Sequence, residues 1–341
     1  MHMKKGQKNC ITDVDGVKVG HQTLYKKLND QETICTGVTA ILPHSDNLFL
    51  KKVPAAHYVM NGYGKTSGLI QVDELGLIEA PIMLTNTFSV GPVLQGALTY
   101  MLTENEAIGD TESSINIVVG ECNDSYLNSM RRQAVTPDHA MQAIRNATTA
   151  QAAEGAVGAG KGMVCFGYKG GIGTASRIVS FANETYTVGC LVLTNFGKRE
   201  EATFSNWQQT NLDPPDGSIM IVLATDAPLD SRQLKRLAKR CPIGLGRTGS
   251  QIDHGSGDIV IAFSTANQTE QNTNQSTETV RLLRDEHPIM GQLFRAAITT
   301  TEEAIINSLL QAETTVGRMG RSIKKAPLPS PGDQSNFLHG E

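Results

Sequence analysis

The sequence predicts an α+β protein in which mixed sheets are covered by helices. Three observations lead there. Strand-like and helix-like segments alternate irregularly, not as strict βαβ units. Several strand candidates lie close enough along the chain to pair as hairpins. No linker divides the 341 residues, so residues 1–322 read as one domain.

Residues 11–20 read as a short strand with a turn at Asp15-Gly16, and 36–42 as a second, apolar strand. Residues 80–85 form a strand ending at Asn86-Thr87, and 90–102 have helical apolar spacing. A buried strand over 115–119 ends at Gly120-Glu121. Pro137 opens a helix, where its missing N–H costs nothing, and Met141, Ile144 and Ala147 give that helix an apolar stripe. The glycine-rich block 155–173 encloses a strand over 163–168, which pairs with 176–181 as a hairpin. Strands follow over 186–193, leading to Asn195-Phe196-Gly197, and over 218–224. Residues 228–240 read as an amphipathic helix with Asp230 as its N-cap. Residues 244–250 read as a glycine-punctuated turn, and 259–263 as a strong strand. The Gln-, Asn- and Thr-rich stretch 268–279 reads as a mobile loop, and a final helix is expected over 301–314. The tail 323–341, with Pro327, Pro329 and Pro331, is expected to be extended or disordered.

Composition narrows the function. The net charge is -4, aromatics are few, and the densest basic cluster, Lys235, Arg236, Lys239 and Arg240, has the spacing of a solvated helix face. Nucleic acid is therefore not an expected partner. The six cysteines form no CxxC pair, and Cys165 and Cys190 lie in apolar runs where a reduced thiol behaves as a small hydrophobe. The eight histidines form no HExxH and no zinc spacing, so no metal is expected. Gly158-Ala159-Gly160-Lys161-Gly162 lacks the spacing of a phosphate loop. The N-terminus has no apolar core of a signal peptide and no stretch reaches ~20 apolar residues, so a cytoplasmic protein without a membrane partner is expected. Ser256, in Gly255-Ser256-Gly257, precedes a strand where a GxSxG nucleophile precedes a helix, and reads as a turn serine.

The run Gly249-Ser250 has a chemistry of its own. Glycine leaves its carbonyl uncrowded, and the neighbouring serine hydroxyl can attack it. The acyl group moves from nitrogen to oxygen, water cleaves the ester, and the new chain starts with serine. Its α-amine, with a pKa near ~7.7–8.0, is then next to the hydroxyl and can act as its base.

An ordered set of motifs resembles the L-aminopeptidase/D-esterase family, which includes the β-peptidyl aminopeptidases. The set begins with Ile11-Thr12-Asp13-Val14-Asp15-Gly16 and Gly20-His21, then Thr36-Gly37-Val38-Thr39, Leu84-Thr85-Asn86-Thr87 and Lys169-Gly170-Gly171-Ile172-Gly173-Thr174. Asn195-Phe196-Gly197, Arg247-Thr248-Gly249-Ser250, His254-Gly255-Ser256-Gly257-Asp258 and Thr301-Glu302-Glu303-Ala304 complete it. The resemblance spans about residues 11 to 315. It implies a four-layer αββα sandwich wired differently from other N-terminal-nucleophile hydrolases. It also implies self-cleavage into 1–249 and 250–341, a tetramer-like assembly of processed pairs, and no cofactor.

The same resemblance assigns roles. Ser250 is the expected nucleophile and Gly249-Ser250 the cleavage site. Asn195 is expected to bind the oxyanion, Tyr126 to hold the amine or the oxyanion, and Glu121 to bind the substrate ammonium. Thr300 and Glu302 are expected to orient the nucleophile, while Thr300 and Glu303 also form a capping box at a helix start. Asn61 and Gly62 fall in a segment near the substrate. Lys161 and Cys122-Asn123 depart from the family pattern. The expected activity is removal of N-terminal residues from small peptides, amino-acid amides and esters, with β-peptides and D-amino-acid esters among the candidates. Acyl transfer of the ornithine acetyltransferase type, which uses threonine, and an uncleaved binding scaffold are the alternatives.

Overall fold

The computed structural model describes residues 3–203, 217–271 and 275–327. In chain order its strands are β1 (Lys18–Lys27), β2 (Thr33–Leu42), β3 (Lys51–Gly62), β4 (Leu77–Ile78), β5 (Ile82–Asn86), β6 (Val118–Cys122), β7 (Val164–Cys165), β8 (Tyr168–Lys169), β9 (Gly171–Phe181), β10 (Glu184–Asn195), β11 (Ser218–Thr225), β12 (Gly257–Ser264), β13 (Thr269–Glu270), and the separate pair β14 (Thr315–Val316) and β15 (Ser322–Ile323). The helices are α1 (Leu69–Leu75), α2 (Val90–Glu104), α3 (Pro137–Arg145), α4 (Ser231–Ala238), α5 (Cys241–Arg247) and α6 (Pro288–Leu310). One sheet has the order β1-β2-β5-β6; the other runs β13-β3-β12-β11-β10-β9, with β4 on β3. The β5–β6 and β11–β12 pairs are parallel.

Period-two burial sorts the side chains into layers. On β11, Met220, Val222 and Ala224 enter a core shared with Ile41, Leu84 and Val118 of the first sheet. Ile219, Ile221 and Leu223 face the other way, onto Leu234 and Leu237 of α4, Leu245 of α5 and Ala297 and Ile305 of α6. The first sheet covers its outer face, with Val38, Ala40, Met83 and Val119, by α2 and α3 through Val93, Ala97, Ala140 and Ile144. Two sheets face to face between two helical layers make the αββα sandwich that the resemblance implies. The contact of α6 on β9 depends on Gly173, where a Cβ would stand 1.9 Å from the Ala304 carbonyl oxygen.

Several elements differ from the sequence reading. The strand expected over 11–20 is a 3-10 turn at Ile11–Asp13 followed by β1, which starts only at Lys18, and β3 is not expected because the polar and charged residues along it hide its alternation. The strand over 163–168 is two short strands, β7 and β8, paired with each other, and β9 pairs with β10 instead. Residues 241–247 form helix α5 despite Gly244 and Gly246, because Cys241 and Leu245 bury a face on it and Pro242 stands in its first turn. β13 lies within the expected mobile loop. α6 begins at Pro288. Thr300 is therefore in mid-helix and closes no capping box: its hydroxyl donates to the Ala296 carbonyl at 2.8 Å. Asp230 does cap α4, its carboxylate accepting from the Gln233 N–H at 2.7 Å. The tail beyond residue 327 lies outside the described residues.

Glu303 of α6 has a different task from the capping one. It is buried and paired with the Arg177 guanidinium of β9, with Lys5 at 2.6 Å and with Asn9 at 2.8 Å. Burial pushes its pKa up, but Arg177 and Lys5 outweigh burial and hold it below the ordinary 4.5. A depressed folded value means the stabilisation is present above that ordinary value and is lost as pH falls. Glu303→Ala strands the buried Arg177 charge and is expected to cost about 3–5 kcal/mol in urea unfolding; a change below about 1 kcal/mol would assign the pair the weight of a surface ion pair.

Candidate active site

Three strand ends of the larger sheet meet at one edge. β10 ends at Asn195, which is directly opposite Ser218, the first residue of β11. On the other side of β11, Ile219 pairs with Asp258 at the start of β12. Ser218 is thus held between Asn195 and the tripeptide Ser256-Gly257-Asp258.

That tripeptide wraps Ser218. The Gly257 N–H donates to Ser218 Oγ at 3.1 Å. Asp258 Oδ1 accepts from the Ile219 N–H at 3.2 Å and from Ser256 Oγ at 2.7 Å. Its Oδ2 is buried with no hydrogen-bond partner among the described residues. Burial raises the Asp258 pKa to about 6, against the hydrogen bonds from Ser256 and Ile219 that lower it. A hydroxyl, a serine–carboxylate pair and an amide therefore converge where a strand begins. The residue before Ser218 is glycine for a steric reason: a Cβ on Gly217 would stand 1.8 Å from the Asn195 carbonyl oxygen.

Asn195 is 7% exposed, enough to meet a ligand and little enough to be rigid. Its Oδ1 accepts from the Val164 N–H at 3.0 Å, and its Nδ2 donates to the Asn123 carbonyl at 3.0 Å. That leaves the second hydrogen of the amide N–H₂ for another acceptor. Glu121, in β6, is buried; its Oε1 accepts from the Lys65 N–H at 2.8 Å and its Oε2 from the Thr87 hydroxyl. Glu121 Oε1 and the Gly257 Cα both lie within 3.7 Å of the point where a Cβ on Gly64 would stand, so the carboxylate borders the Ser218 edge. Asn61 donates to the carbonyls of Asp253, His254 and Ser256, and Gly62 pairs with Gly257; together they hold the Ser256 turn. The backbone carbonyl of Tyr126 accepts from Arg321 at 3.1 Å, and the Arg321 guanidinium covers its ring at 4.7 Å.

The remaining expected site residues lie elsewhere. Ser250 follows the C-terminal end of α5, and its Oγ accepts from the Ile252 N–H at 3.4 Å. Glu302 pairs with Arg247 at 3.1 Å, beside α5. Thr300 is fully buried in α6, and its neighbour Thr301 meets Cys190, five residues before the Asn195 end of β10. The structure thus brings Asn61, Gly62, Glu121 and Asn195 to one edge and leaves Thr300 and Glu302 along the helix face. The carboxylate and hydroxyl beside the strand-end serine are Asp258 and Ser256. Sequence reading passed over Ser218 and Asp258 and set Ser256 aside. The available signal was a Gly-Ser dipeptide, Gly217-Ser218, at the head of an apolar strand.

Among the described residues no group of histidines, cysteines or carboxylates has the arrangement of a metal site. No helix among them is long and apolar enough to cross a membrane.

Comparison with known proteins gives one consistent result. The family model described as peptidase family S58 matches residues 9–323. A β-peptidyl aminopeptidase of Sphingosinicella microcystinivorans is 39% identical over 350 residues, covering 95% of this chain and 87% of that one. Among solved structures, the PH0078 protein of Pyrococcus horikoshii superposes with a TM-score of 0.90 at 48% identity, covering 99% of this chain and 96% of that one. The L-aminopeptidase D-Ala-esterase/amidase of Ochrobactrum anthropi superposes with a TM-score of 0.87 at 34% identity, covering 96% and 93%. It is described as a prototype of the serine aminopeptidases and a variant of the N-terminal-nucleophile hydrolase fold.

Proposed function

Because the chain belongs to peptidase family S58 and is a serine aminopeptidase, we propose that Ser218 is its nucleophile and that self-cleavage between Gly217 and Ser218 exposes it. The observation that carries this reading is the position of Ser218: at the head of a central strand, with Gly257 N–H on its hydroxyl and Asn195 opposite. An N-terminal nucleophile needs its amine and hydroxyl fixed by a rigid element, and the first residue of β11 meets that need. Ser250, on the loop after α5, has no such support.

Self-cleavage follows the chemistry of any Gly-Ser bond. Ser218 Oγ attacks the Gly217 carbonyl carbon, the C–N bond breaks as the acyl group passes to oxygen, and water hydrolyses the ester. The uncovered α-amine, with a free value near ~7.7–8.0, accepts the Ser218 hydroxyl proton in the aminopeptidase reaction. The substrate places its ammonium against Glu121 and its carbonyl at Ser218. Negative charge growing on that oxygen meets the free N–H of Asn195. The leaving amine takes the proton, and water releases the acyl group. Gly257 and Asp258 hold the head of β11, and the unpartnered Asp258 Oδ2 is the carboxylate oxygen assigned to the new ammonium. The same site suits amino-acid amides and esters, and the name of the Sphingosinicella relative supports trying β-peptides first.

Recognition of a free amine is directly testable. Acetylating the amine of an aminoacyl p-nitroanilide removes the charge that Glu121 would bind, and kcat/KM is expected to fall by roughly 10²-fold or more. Equal turnover of blocked and free substrates would remove Glu121 from amine recognition.

Tetramer-like assembly of processed pairs and a cytoplasmic location belong to the same proposal. The exposed Ile70 and Leu75 of α1 support association, and six buried thiols suit a reducing compartment.

A further inference from the structure

Lys169 is fully buried at the end of β8 and touches neither Ser218 nor the Ser256 turn in any hydrogen bond among the described residues. Its Nζ donates to three backbone carbonyls: Gly160 at 2.9 Å, Met163 at 2.7 Å and Gly170 at 2.7 Å. Burial pulls its pKa down to about 7. Three carbonyl acceptors are nonetheless satisfied only by the ammonium form, which alone carries three hydrogens. The charged group is thus built into the turn between β8 and the 160–163 segment.

The Met163 carbonyl belongs to the same peptide group as the Val164 N–H. That N–H donates to Asn195 Oδ1 at 3.0 Å. One amide plane therefore carries a cation on its oxygen and the Asn195 side chain on its nitrogen. We propose that Lys169 is a positioning residue for the oxyanion site, acting through the Met163–Val164 peptide on Asn195. Pulling electron density toward the Met163 oxygen makes the Val164 N–H a stronger donor. A stronger bond to Oδ1 fixes which way the Asn195 amide faces and makes its Nδ2 hydrogens more acidic. The Asn123 carbonyl takes one of these hydrogens, so the other is aimed by two fixed bonds. A preorganised donor costs no reorientation as charge develops, whereas a small misplacement of such a group costs rate steeply.

This inference rests on the reading of Asn195 as oxyanion donor, and the experiment separates the two. Lys169→Met keeps the length and removes the charge; Lys169→Gln keeps a donor without the charge and serves if the methionine variant does not fold. Both are compared with Asn195→Ala and with the double variant, as full chains, on one aminoacyl p-nitroanilide. Mass spectrometry gives the processed fraction, to which rates are normalised, and thermal melts report folding. The expected result is a fall in kcat by about 10- to 100-fold, with KM within about twofold, partial rescue in Lys169→Gln, and no further fall when Lys169→Met is added to Asn195→Ala. A lower melting temperature with normal kcat in Lys169→Met, beside an impaired Asn195→Ala, overturns the relay alone. Losses that multiply in the double variant overturn it as well. Normal kcat in Asn195→Ala removes the donor reading itself, and the relay with it.

Discussion

Replacing Ser218 by alanine is expected to leave a folded, uncut chain whose hydrolysis of aminoacyl amides is lower by roughly 10⁴-fold or more. The size follows from the two tasks assigned to one hydroxyl. Without it no ester forms at Gly217, so no α-amine appears, and no acyl-enzyme forms with substrate. Folding is expected to survive because the hydroxyl makes one hydrogen bond, from Gly257, while the backbone of β11 is held between β10 and β12. Ser250→Ala serves as the contrast. Its hydroxyl accepts one long bond from Ile252, so processing and turnover are expected within about twofold of normal, as for a surface change away from the site. A Ser218→Ala chain that still cuts and still turns over would return the nucleophile to Ser250.

Asn195→Ala is expected to lower kcat by about 10²–10³-fold with a smaller change in KM. The amide contributes where charge grows on the substrate oxygen, and it is bound on both sides, by Val164 and Asn123, before any substrate arrives. The substitution also leaves the Val164 N–H without its side-chain acceptor, so a thermal melt must accompany the kinetics. An equal rise in KM with kcat unchanged would make Asn195 a binding residue. Normal values of both in a folded variant would leave it only the structural bond to Val164.

Much of this was legible in the sequence for identifiable reasons. Long apolar runs such as Ile259 to Phe263 are buried on both faces of the larger sheet and declare themselves as strands. Asp230 and Pro137 mark helix starts through local chemistry. β3 was not legible, because Lys51, Lys52, His57 and Asn61 break its apolar pattern while its partner β12 lies some 200 residues away in sequence. Thr300 looked like a cap because Glu303 follows at the right spacing; the helix in fact begins at His287-Pro288, and Glu303 is used by Arg177.

The site was half legible. Asn195 and Glu121 end or lie in strands whose ends could be read, and both border the Ser218 edge. The proposed nucleophile is harder to read, because Gly217-Ser218, Gly249-Ser250 and Gly255-Ser256 are alike as dipeptides. What distinguishes them is tertiary. Only strand pairing puts Ser218 between Asn195 and Asp258. The Lys169 contact is equally invisible in sequence, since a buried lysine within a glycine-rich run reads as a turn residue.

N-terminal sequencing and intact mass of the smaller fragment in active protein decide whether the chain is cut before Ser218. The expected fragment begins at Ser218 and spans residues 218–341. A fragment beginning at Ser250, or fully active protein that consists only of the uncut chain, would contradict it.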